Sequence, residues 1–329
     1  MSKILITGVA GLLGNHLSRY LLEAGHVVVG IDNLSGGYAD LIHKYVVFCE
    51  NDLVDTSVLK QIFRFYQPEV VYHFAAYAAL GISPFIRNYN YTNNVIASIN
   101  VINACVNHNV RKLIFSSSMD VYGKGLPPFS ETDSLHPLDP YGISKYAVEL
   151  DIREAHERFG LSYNIIRPHN VIGIYQNIWD RYRNVIGIWI RQILNHEPIT
   201  IFGDGNIKRA FSDIRYCMEP FAKLINGYDN EVFNIGSDRV TTINEIADIV
   251  VNVAHEYGYN VKLNYSESRT EVKEAYCSHD KAKVILDFKD ETDLVSTIKD
   301  MFDWARTQPN REVKTMPYEI NKGIYSYWK

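Results

Sequence analysis

The chain has 329 residues, of which 47% are hydrophobic and 22% charged, and this length predicts one large domain or two closely joined ones. Its formal net charge of −5 gives no electrostatic basis for binding nucleic acid or for a polybasic membrane anchor. The four cysteines are far apart and form no CxxC pair, which argues against a zinc ribbon or a redox dithiol. We expect no metal site.

The N-terminal stretch MSKILITGV carries one lysine and a short apolar run. It is too short to span a membrane and leads directly into a glycine-rich turn, so we interpret it as a first strand rather than a signal peptide. No later stretch is long and apolar enough to cross a bilayer. We therefore expect a reduced, cytoplasmic protein with no membrane partner.

The first half of the chain alternates short apolar runs with helical patterns. Several of the runs are apolar on both faces, which is typical of buried parallel strands. This alternation predicts an α/β fold with a Rossmann-type, doubly wound parallel sheet. The predicted strands are 3–7, 27–31, 45–48, 70–74, 112–117 and 163–167, and the predicted helices lie near 14–24, 56–66, 90–108 and 142–159.

The pattern changes near residue 170, where aromatic, Asn and Arg residues become frequent. We predict a dinucleotide-binding domain over 1–168 and a smaller α/β substrate lobe over 169–329. Within that lobe, 232–236 has a strand pattern and 243–256 a helix pattern, and we expect 232–256 to return to the first sheet. No long linker separates the two halves.

The segment TGVAGLLG places Gly8, Gly11 and Gly14 between the first strand and the first helix. Glycine permits a tight turn and a close approach of backbone to a pyrophosphate, and the helix N-terminus adds free N–H groups and a positive end. Because a strand precedes the glycines and a helix follows them, they predict a dinucleotide site.

Asp32 ends the second predicted strand, eighteen residues after Gly14. A carboxylate at this place can accept hydrogen bonds from the ribose hydroxyls of adenosine, and it would repel a 2′-phosphate. No Arg or Lys follows Asp32 before Lys44. The sequence therefore predicts NAD rather than NADP as the cofactor.

Tyr141 and Lys145 open the helical pattern that follows PLDP, and their spacing of four places them on one face of that helix. A free tyrosine is a poor base at neutral pH, and a nearby ammonium is expected to lower its pKa. Tyr141 could then take a proton from a sugar hydroxyl while a hydride leaves for NAD. Ser118, at the end of the fifth strand, can bind the same hydroxyl.

These motifs, in this order and spacing, resemble an extended short-chain dehydrogenase/reductase, and more narrowly its nucleotide-sugar epimerase/dehydratase branch, of the UDP-glucose 4-epimerase type. The resemblance covers nearly the whole chain. It rests on TGVAGLLG, Asp32, NDL (51–53), HFAA (73–76), SSSMDVYG (116–123), YGISK (141–145), RPHNVIG (167–173) and the segments 201–211 and 268–288.

The resemblance implies further site residues. Asp52, Leu53, Ala75 and Asn94 match positions near the cofactor, and Asn170, Arg209 and Arg269 match contacts to a sugar-nucleotide diphosphate. Arg181 and Arg183 are further candidates for diphosphate contacts, but they have no firm match, and we favour their interpretation as surface residues. The implied partner is a nucleotide-diphosphate sugar, and the implied assembly is a homodimer packed through the helices near 90–108 and 142–159.

The fate of the oxidised sugar remains open between two main readings. A 4-epimerase returns the hydride to the other face of a 4-keto sugar, whereas a net 4-dehydrogenase of a hexose or heptose releases that sugar and needs a second substrate to reoxidise NADH. A 4,6-dehydratase is disfavoured, because such relatives carry Thr-Asp-Glu where this chain has Ser118-Met119-Asp120 and Met119 cannot transfer protons. A dinucleotide-binding sensor is also disfavoured, because Tyr141 and Lys145 are both present.

Overall fold

The computed structural model describes residues 1–328. Its strands are β1 Lys3–Thr7, β2 Val27–Asp32, β3 Val47–Glu50, β4 Val70–His73, β5 Lys112–Ser116, β6 Tyr163–Pro168, β7 Val171–Ile172, β8 Ile199–Phe202, β9 Lys208–Ala210, β10 Ser212–Asp213, β11 Glu231–Ile235, β12 Val240–Thr242, β13 Leu263–Ser266 and β14 Glu274–Ala275. Its α-helices are α1 Leu12–Glu23, α2 Thr56–Tyr66, α3 Arg87–Tyr91, α4 Ala97–Asn107, α5 Pro140–Phe159, α6 Val185–Leu194, α7 Ile214–Lys223, α8 Ile243–Glu256, α9 Asp280–Leu286 and α10 Leu294–Arg306.

Seven strands form one parallel sheet in the order β11-β6-β5-β4-β1-β2-β3. The strand order reverses between β1 and β4, and in sheets of this kind ligands bind outside the strand ends at such a point. The doubly wound parallel sheet predicted from the sequence is therefore confirmed.

Helices cover both faces of the sheet, as the two-sided apolar strands require. In β1, Ile4 and Ile6 face one core, which includes Leu17 of α1, while Leu5 faces the other, which includes Phe63 of α2. All of these side chains are buried, and burying each contributes roughly 1.5–3 kcal/mol. This packing fixes the strand ends where the polar residues gather.

The chain from 232 to 256 only partly follows the sequence prediction. Strand β11 pairs with β6 and extends the main sheet, as expected. Helix α8, in contrast, packs in the smaller lobe, where its Ile246 and Val250 share a core with α6 and α10. The expectation that the helix also returns to the sheet is corrected, because its apolar face is complementary to those two helices.

The smaller lobe contains its own short sheets. Strands β12, β9 and β14 form one, and β13 pairs with β8 in another. Strand β9 carries Arg209 and the chain just before β14 carries Arg269 and Glu271, so this lobe presents charged side chains to the strand ends of the main sheet.

Candidate active site

A large cavity of about 940 Å³ lies between the carboxyl ends of the main strands and the smaller lobe. This volume is at the upper end of the range typical of ligand pockets. Its walls include the predicted site residues Gly8, Gly11, Gly14, Asp32, Asp52, Leu53, Ala75, Ser118, Tyr141, Lys145, Asn170, Arg209 and Arg269. The structure thus brings residues that are far apart in the sequence to one surface.

The glycine turn has the geometry of a phosphate cradle. Gly8 has φ +74°, and a Cβ there would lie 2.7 Å from the Ala75 nitrogen. A Cβ on Gly14 would overlap the Gly8 carbonyl, whereas one on Gly11 would meet only that carbonyl, at 3.3 Å. Gly8 and Gly14 are therefore required by protein packing, and Gly11 leaves room for a ligand at the start of α1.

Asp32 keeps acceptor capacity on the cavity side. One carboxylate oxygen accepts from the Ala10 N–H at 3.0 Å, and the other accepts from the Leu34 N–H at 2.8 Å. Burial raises the pKa of Asp32, and the two backbone bonds act in the opposite direction. Each oxygen retains a lone pair for a ribose hydroxyl. Together with the glycine turn, Asp32 fits the adenosine and diphosphate parts of NAD.

Asn94 is placed behind the cavity rather than on its wall. It is buried, its Oδ1 accepts from the Tyr77 N–H at 2.7 Å, and its Nδ2 donates to the Tyr77 carbonyl at 3.2 Å. It belongs to a π-helical turn, Thr92–Ile96, between α3 and α4. In this arrangement Asn94 fixes the loop that follows β4.

Ser118, Tyr141 and Lys145 meet where β5 ends and α5 begins. The Ser118 Oγ donates to an Asp120 carboxylate oxygen at 3.0 Å, and the Lys145 Nζ donates to the Ser116 carbonyl at 2.7 Å. The Lys145 Nζ lies 5.9 Å from the centroid of the Tyr141 ring. One serine, one phenol and one ammonium therefore share a buried corner of the cavity.

The electrostatics of this corner differ from the sequence expectation. Burial raises the pKa of Tyr141, and the charges of Asp120 and Asp139 raise it further. The Ser118 hydrogen bond and the charge of Arg183 lower that pKa, but they do not outweigh burial. Burial also lowers the pKa of Lys145 to about 7, which weakens the ammonium that was expected to stabilise tyrosinate.

Met119 and Asp120 also line this corner. Met119 is 6% exposed and gives the wall an apolar patch. Burial, together with the charge of Asp139, raises the pKa of Asp120 to about 7 against the opposing effect of the Ser118 hydrogen bond. Asp120 therefore faces the cavity as a group that titrates near neutral pH.

The other end of the cavity carries the predicted diphosphate contacts. Asn170 adopts the left-handed conformation, with φ +40°, and its Nδ2 donates to the Ala210 carbonyl at 3.0 Å. The Arg209 Nη2 lies 3.2 Å from one Glu271 oxygen, and the Arg269 Nη1 lies 4.0 Å from the other. The Arg269 guanidinium also stacks on Phe202 at 3.4 Å. The two arginines thus converge on one place.

Among the charged residues of the cavity wall, Asp139 and Glu271 are absent from the sequence prediction and Arg183 was interpreted differently. Asp139 could have been found, because an Asp directly before the first proline of a helix is a typical N-cap signal. Glu271 follows Arg269 by two residues, but nothing local reveals that it faces two arginines. Arg183 is only 18% exposed through its side chain and lines the cavity, so its interpretation as a surface residue was wrong.

Two negative findings apply to the part of the chain that the structure describes. Residues 1–328 contain no group of three or more His, Cys, Asp or Glu side chains arranged to hold a metal ion. None of the helices within those residues is long and apolar enough to cross a membrane.

Comparison with known proteins gives the same picture. Residues 4–236 match the model of the NAD dependent epimerase/dehydratase family. A putative UDP-glucose 4-epimerase of Methanocaldococcus jannaschii is 33% identical over 308 residues, which cover 92% of this chain and 98% of that protein. A UDP-glucuronate 4-epimerase of Thermodesulfobacterium geofontis is 28% identical over 93% of this chain and 97% of its own length.

Solved structures agree. The UDP-glucose 4-epimerase of Thermotoga maritima with UDP-glucose superposes with a TM-score of 0.87 at 31% identity, covering 92% of this chain and 98% of that one. The UDP-glucuronic acid 4-epimerase of Bacillus cereus, in complex with UDP-glucuronic acid and NAD, gives 0.83 at 27% identity, covering 92% and 99%. With the glycine turn, Asp32 and the Ser118–Tyr141–Lys145 corner in place, this chain belongs to the NAD-dependent epimerase/dehydratase family of enzymes.

Proposed function

We propose that this enzyme is a 4-epimerase of a UDP-sugar. The observation that carries the proposal is the continuity of one cavity, which is lined by Gly11, Tyr141 and Arg209. A sugar held at its diphosphate by the smaller lobe would reach the Ser118–Tyr141 corner beside the nicotinamide end of the cofactor. The matched relatives whose names specify UDP-sugar 4-epimerisation support the choice of nucleotide and carbon.

Each side chain then has a chemical task. Bound NAD supplies the hydride acceptor and, later, the hydride donor. Ser118 binds the reacting hydroxyl, and Tyr141 takes its proton and later returns it. Lys145 orients the cofactor side of this corner and supplies positive charge. Asn170, Arg209 and Arg269 hold the substrate diphosphate, for which charge-assisted and bidentate bonds are well suited.

We infer that carbon 6 keeps its oxygen, because this corner has one proton-transferring side chain, Asp120, where 4,6-dehydratases carry an Asp and a Glu. Loss of water across carbons 5 and 6 needs proton transfer, and Met119 cannot provide it. Asp120 is occupied by the Ser118 hydroxyl at 3.0 Å, so we assign it to holding that hydroxyl or one of the sugar. The epimerase reading therefore fits this wall better than the dehydratase reading.

Product analysis by NMR tests the proposal. The purified enzyme is given UDP-glucose, UDP-N-acetylglucosamine, UDP-glucuronic acid and their GDP, dTDP and CDP counterparts, with and without a keto acid as hydride acceptor. A C4 epimer formed without the acceptor, at constant NADH absorbance, supports the proposal. A 4-keto sugar that requires the acceptor would show a net dehydrogenase, and a 4-keto-6-deoxy sugar would show a dehydratase.

We also propose that two copies of the chain pair through α4 and α5. Ile143 and Leu150 are seven residues apart on α5, so they share one face, and they are 41% and 49% exposed. Ile96, directly before α4, is 47% exposed, and α4 packs against α5. Apolar side chains left exposed on two packed helices support an interface there.

A further inference from the structure

Arg183 is held in a fixed orientation on the cavity wall. Its Nε donates to a carboxylate oxygen of Asp180 at 3.0 Å, and that carboxylate is buried. The guanidinium also lies over the Tyr77 ring, 4.7 Å from its centroid. One edge of the Arg183 guanidinium is thereby anchored, so the orientation of the guanidinium is fixed before any ligand binds.

The other edge of the guanidinium faces the loop that follows β2. A Cβ on Gly36 would lie 2.6 Å from the Arg183 Nη2, so the two groups are in close contact. The Asn177 Nδ2 donates to the Gly36 carbonyl at 3.0 Å and ties the segment before Arg183 to the same loop. The neighbouring Gly37 packs against Ala10 of the glycine turn. Arg183 is therefore connected through this loop to the glycine turn, and both line the same cavity.

The charge of Arg183 acts on both ends of the cofactor cleft. It lowers the pKa of Asp32 at one end and the pKa of Tyr141 at the other. These two residues mark the adenosine ribose and the reacting end of a bound dinucleotide. All three residues line the same cavity, so an anion bound in this cleft lies within reach of the guanidinium charge.

The outer edge of this guanidinium has donors to spare. Among residues 1–328, Asp180 is the one group to which Arg183 donates a side-chain hydrogen bond, and it does so through Nε. Nη2 lies beside Gly36, and both Nη1 and Nη2 still carry N–H groups that can donate to phosphate oxygens bound along that loop. A half-buried fork of this kind favours an anionic ligand.

We propose that Arg183 binds the diphosphate of bound NAD together with the glycine turn. The turn and the N-terminus of α1 supply backbone donors to the diphosphate, and Arg183 adds a charged fork from the neighbouring loop contact. Arg209 and Arg269 lie at the far end of the cavity around Glu271 and serve the substrate instead. Arg183 thereby strengthens retention of the cofactor through repeated turnovers.

Arg183 could instead bind an acidic group on the substrate sugar. Binding measurements distinguish this ligand from the diphosphate of NAD. Protein stripped of NAD is titrated calorimetrically with ADP-ribose, adenosine and UDP. The variants are Arg183→Met and Arg183→Lys, with Arg181→Met as the matched control. The Arg181 guanidinium donates to the Tyr327 carbonyl and lies outside the cavity wall.

Arg183→Met is expected to weaken ADP-ribose binding roughly ten- to a hundredfold, the range of one or two charge-assisted bonds, and to leave adenosine and UDP binding unchanged. Arg183→Lys should recover part of the loss, and Arg181→Met should bind all three ligands as the unmodified protein does. Equal losses for adenosine and ADP-ribose would show a structural role and overturn the proposal. An unchanged affinity of Arg183→Met for ADP-ribose would also overturn the proposal, whether or not the variant binds acidic UDP-sugars more weakly. If stripping unfolds a variant, the NAD content of the purified proteins after dialysis gives the same comparison.

Discussion

Tyr141 combines a catalytic position with an unfavourable environment for its anion. Burial and two nearby carboxylates raise the pKa of its hydroxyl, and Lys145 donates to the Ser116 carbonyl rather than to the phenol. Positive charge from the oxidised nicotinamide would favour tyrosinate in the holoenzyme. The proton transfer is thus expected to depend on cofactor redox state, which suits a residue that must both remove a proton and return it.

Replacing Tyr141 by Phe should lower turnover by a factor of about a hundred or more, because the variant loses its proton acceptor. The NAD content should not change, since the aromatic ring that packs in the cavity wall is retained. Steady-state kinetics and extraction of the bound nucleotide measure both effects. Tyr146→Phe removes a hydroxyl from the same helix outside the cavity wall and is the control. Near-normal turnover in Tyr141→Phe would remove Tyr141 from its assigned role.

Asp120 should make the free energy of unfolding depend on pH. Its pKa is about 7 in the folded protein and close to 4 in an unfolded chain. Its contribution to stability is therefore fully present below about pH 4 and is lost as the pH rises through 7. Lys145, with its pKa lowered to about 7, makes the free energy of unfolding depend on pH with the opposite sign. This effect is the same in the unmodified protein and in Asp120→Asn, so it cancels in their comparison.

Asp120→Asn should abolish the part of the stability loss with rising pH that comes from ionisation of Asp120. Urea unfolding at pH 5 and pH 8 gives the free energy of unfolding of both proteins. Between pH 5 and pH 8, the free energy of unfolding should shift further in the destabilising direction for the unmodified protein than for the variant. Parallel pH profiles would contradict a half-buried Asp120 that titrates near neutral pH.

At the scale of elements, the N-terminus of α5 positions the reacting phenol. An Asp139 oxygen accepts from the Gly142 N–H at 3.0 Å and from the Ser83 hydroxyl at 3.3 Å, and that hydroxyl in turn accepts from the Tyr141 N–H at 3.2 Å. Pro140 begins the helix without needing a hydrogen bond to its nitrogen. This cap ties Tyr141 to the loop that follows β4.

Asp139→Ala should cost about 1 kcal/mol of stability and lower activity, because the cap is lost and Tyr141 is less firmly placed. Asp139→Asn keeps a good capping residue but removes a charge that raises the pKa of Tyr141. That variant should keep its thermal stability, and its activity should appear at lower pH than in the unmodified protein. Thermal melts and pH–rate profiles test the pair, and equal behaviour of both variants would contradict the argument.

The same elements show what the sequence could predict. Helices 56–66 and 243–256 were predicted with the bounds that the structure has, because their apolar periodicity is regular and caps flank them. The placement of α8 was not predictable, since its apolar face fits either lobe until α6 and α10 are known. Arg183 was also missed, because its interaction with Gly36 joins residues 147 positions apart and no local pattern reveals it.

At the scale of the whole molecule, the chain after α10 joins the two lobes. The Lys314 Nζ donates to the Leu34 and Ser35 carbonyls of the cofactor loop, at 3.0 and 2.8 Å. Glu319 accepts from the N–H groups of Asn88 and Tyr89 at the start of α3. These contacts cross from the C-terminal part to the Rossmann part on the cofactor side, so they help hold the cavity together.

Pairing of two copies would act at the same scale, because α5 carries both Tyr141 and the proposed interface. Its inner face, with Val148 and Ile152, is buried in the core, while Ile143 and Leu150 point outward. An interface on the outer face would restrain the helix that places the catalytic phenol. Loss of pairing should therefore lower activity as well as change the molecular mass.

Leu150→Asp tests this pairing, because a carboxylate at the centre of an apolar interface is costly to bury. Light scattering after size exclusion should show a dimer for the unmodified protein and a monomer for the variant. Val284→Asp makes the same kind of change at a side chain that is 84% exposed on α9 and should remain a dimer. A dimeric Leu150→Asp variant, or a monomeric unmodified protein, would place the interface elsewhere or exclude it. If the pairing restrains α5, the monomeric variant should also unfold at a lower temperature than the Val284→Asp control.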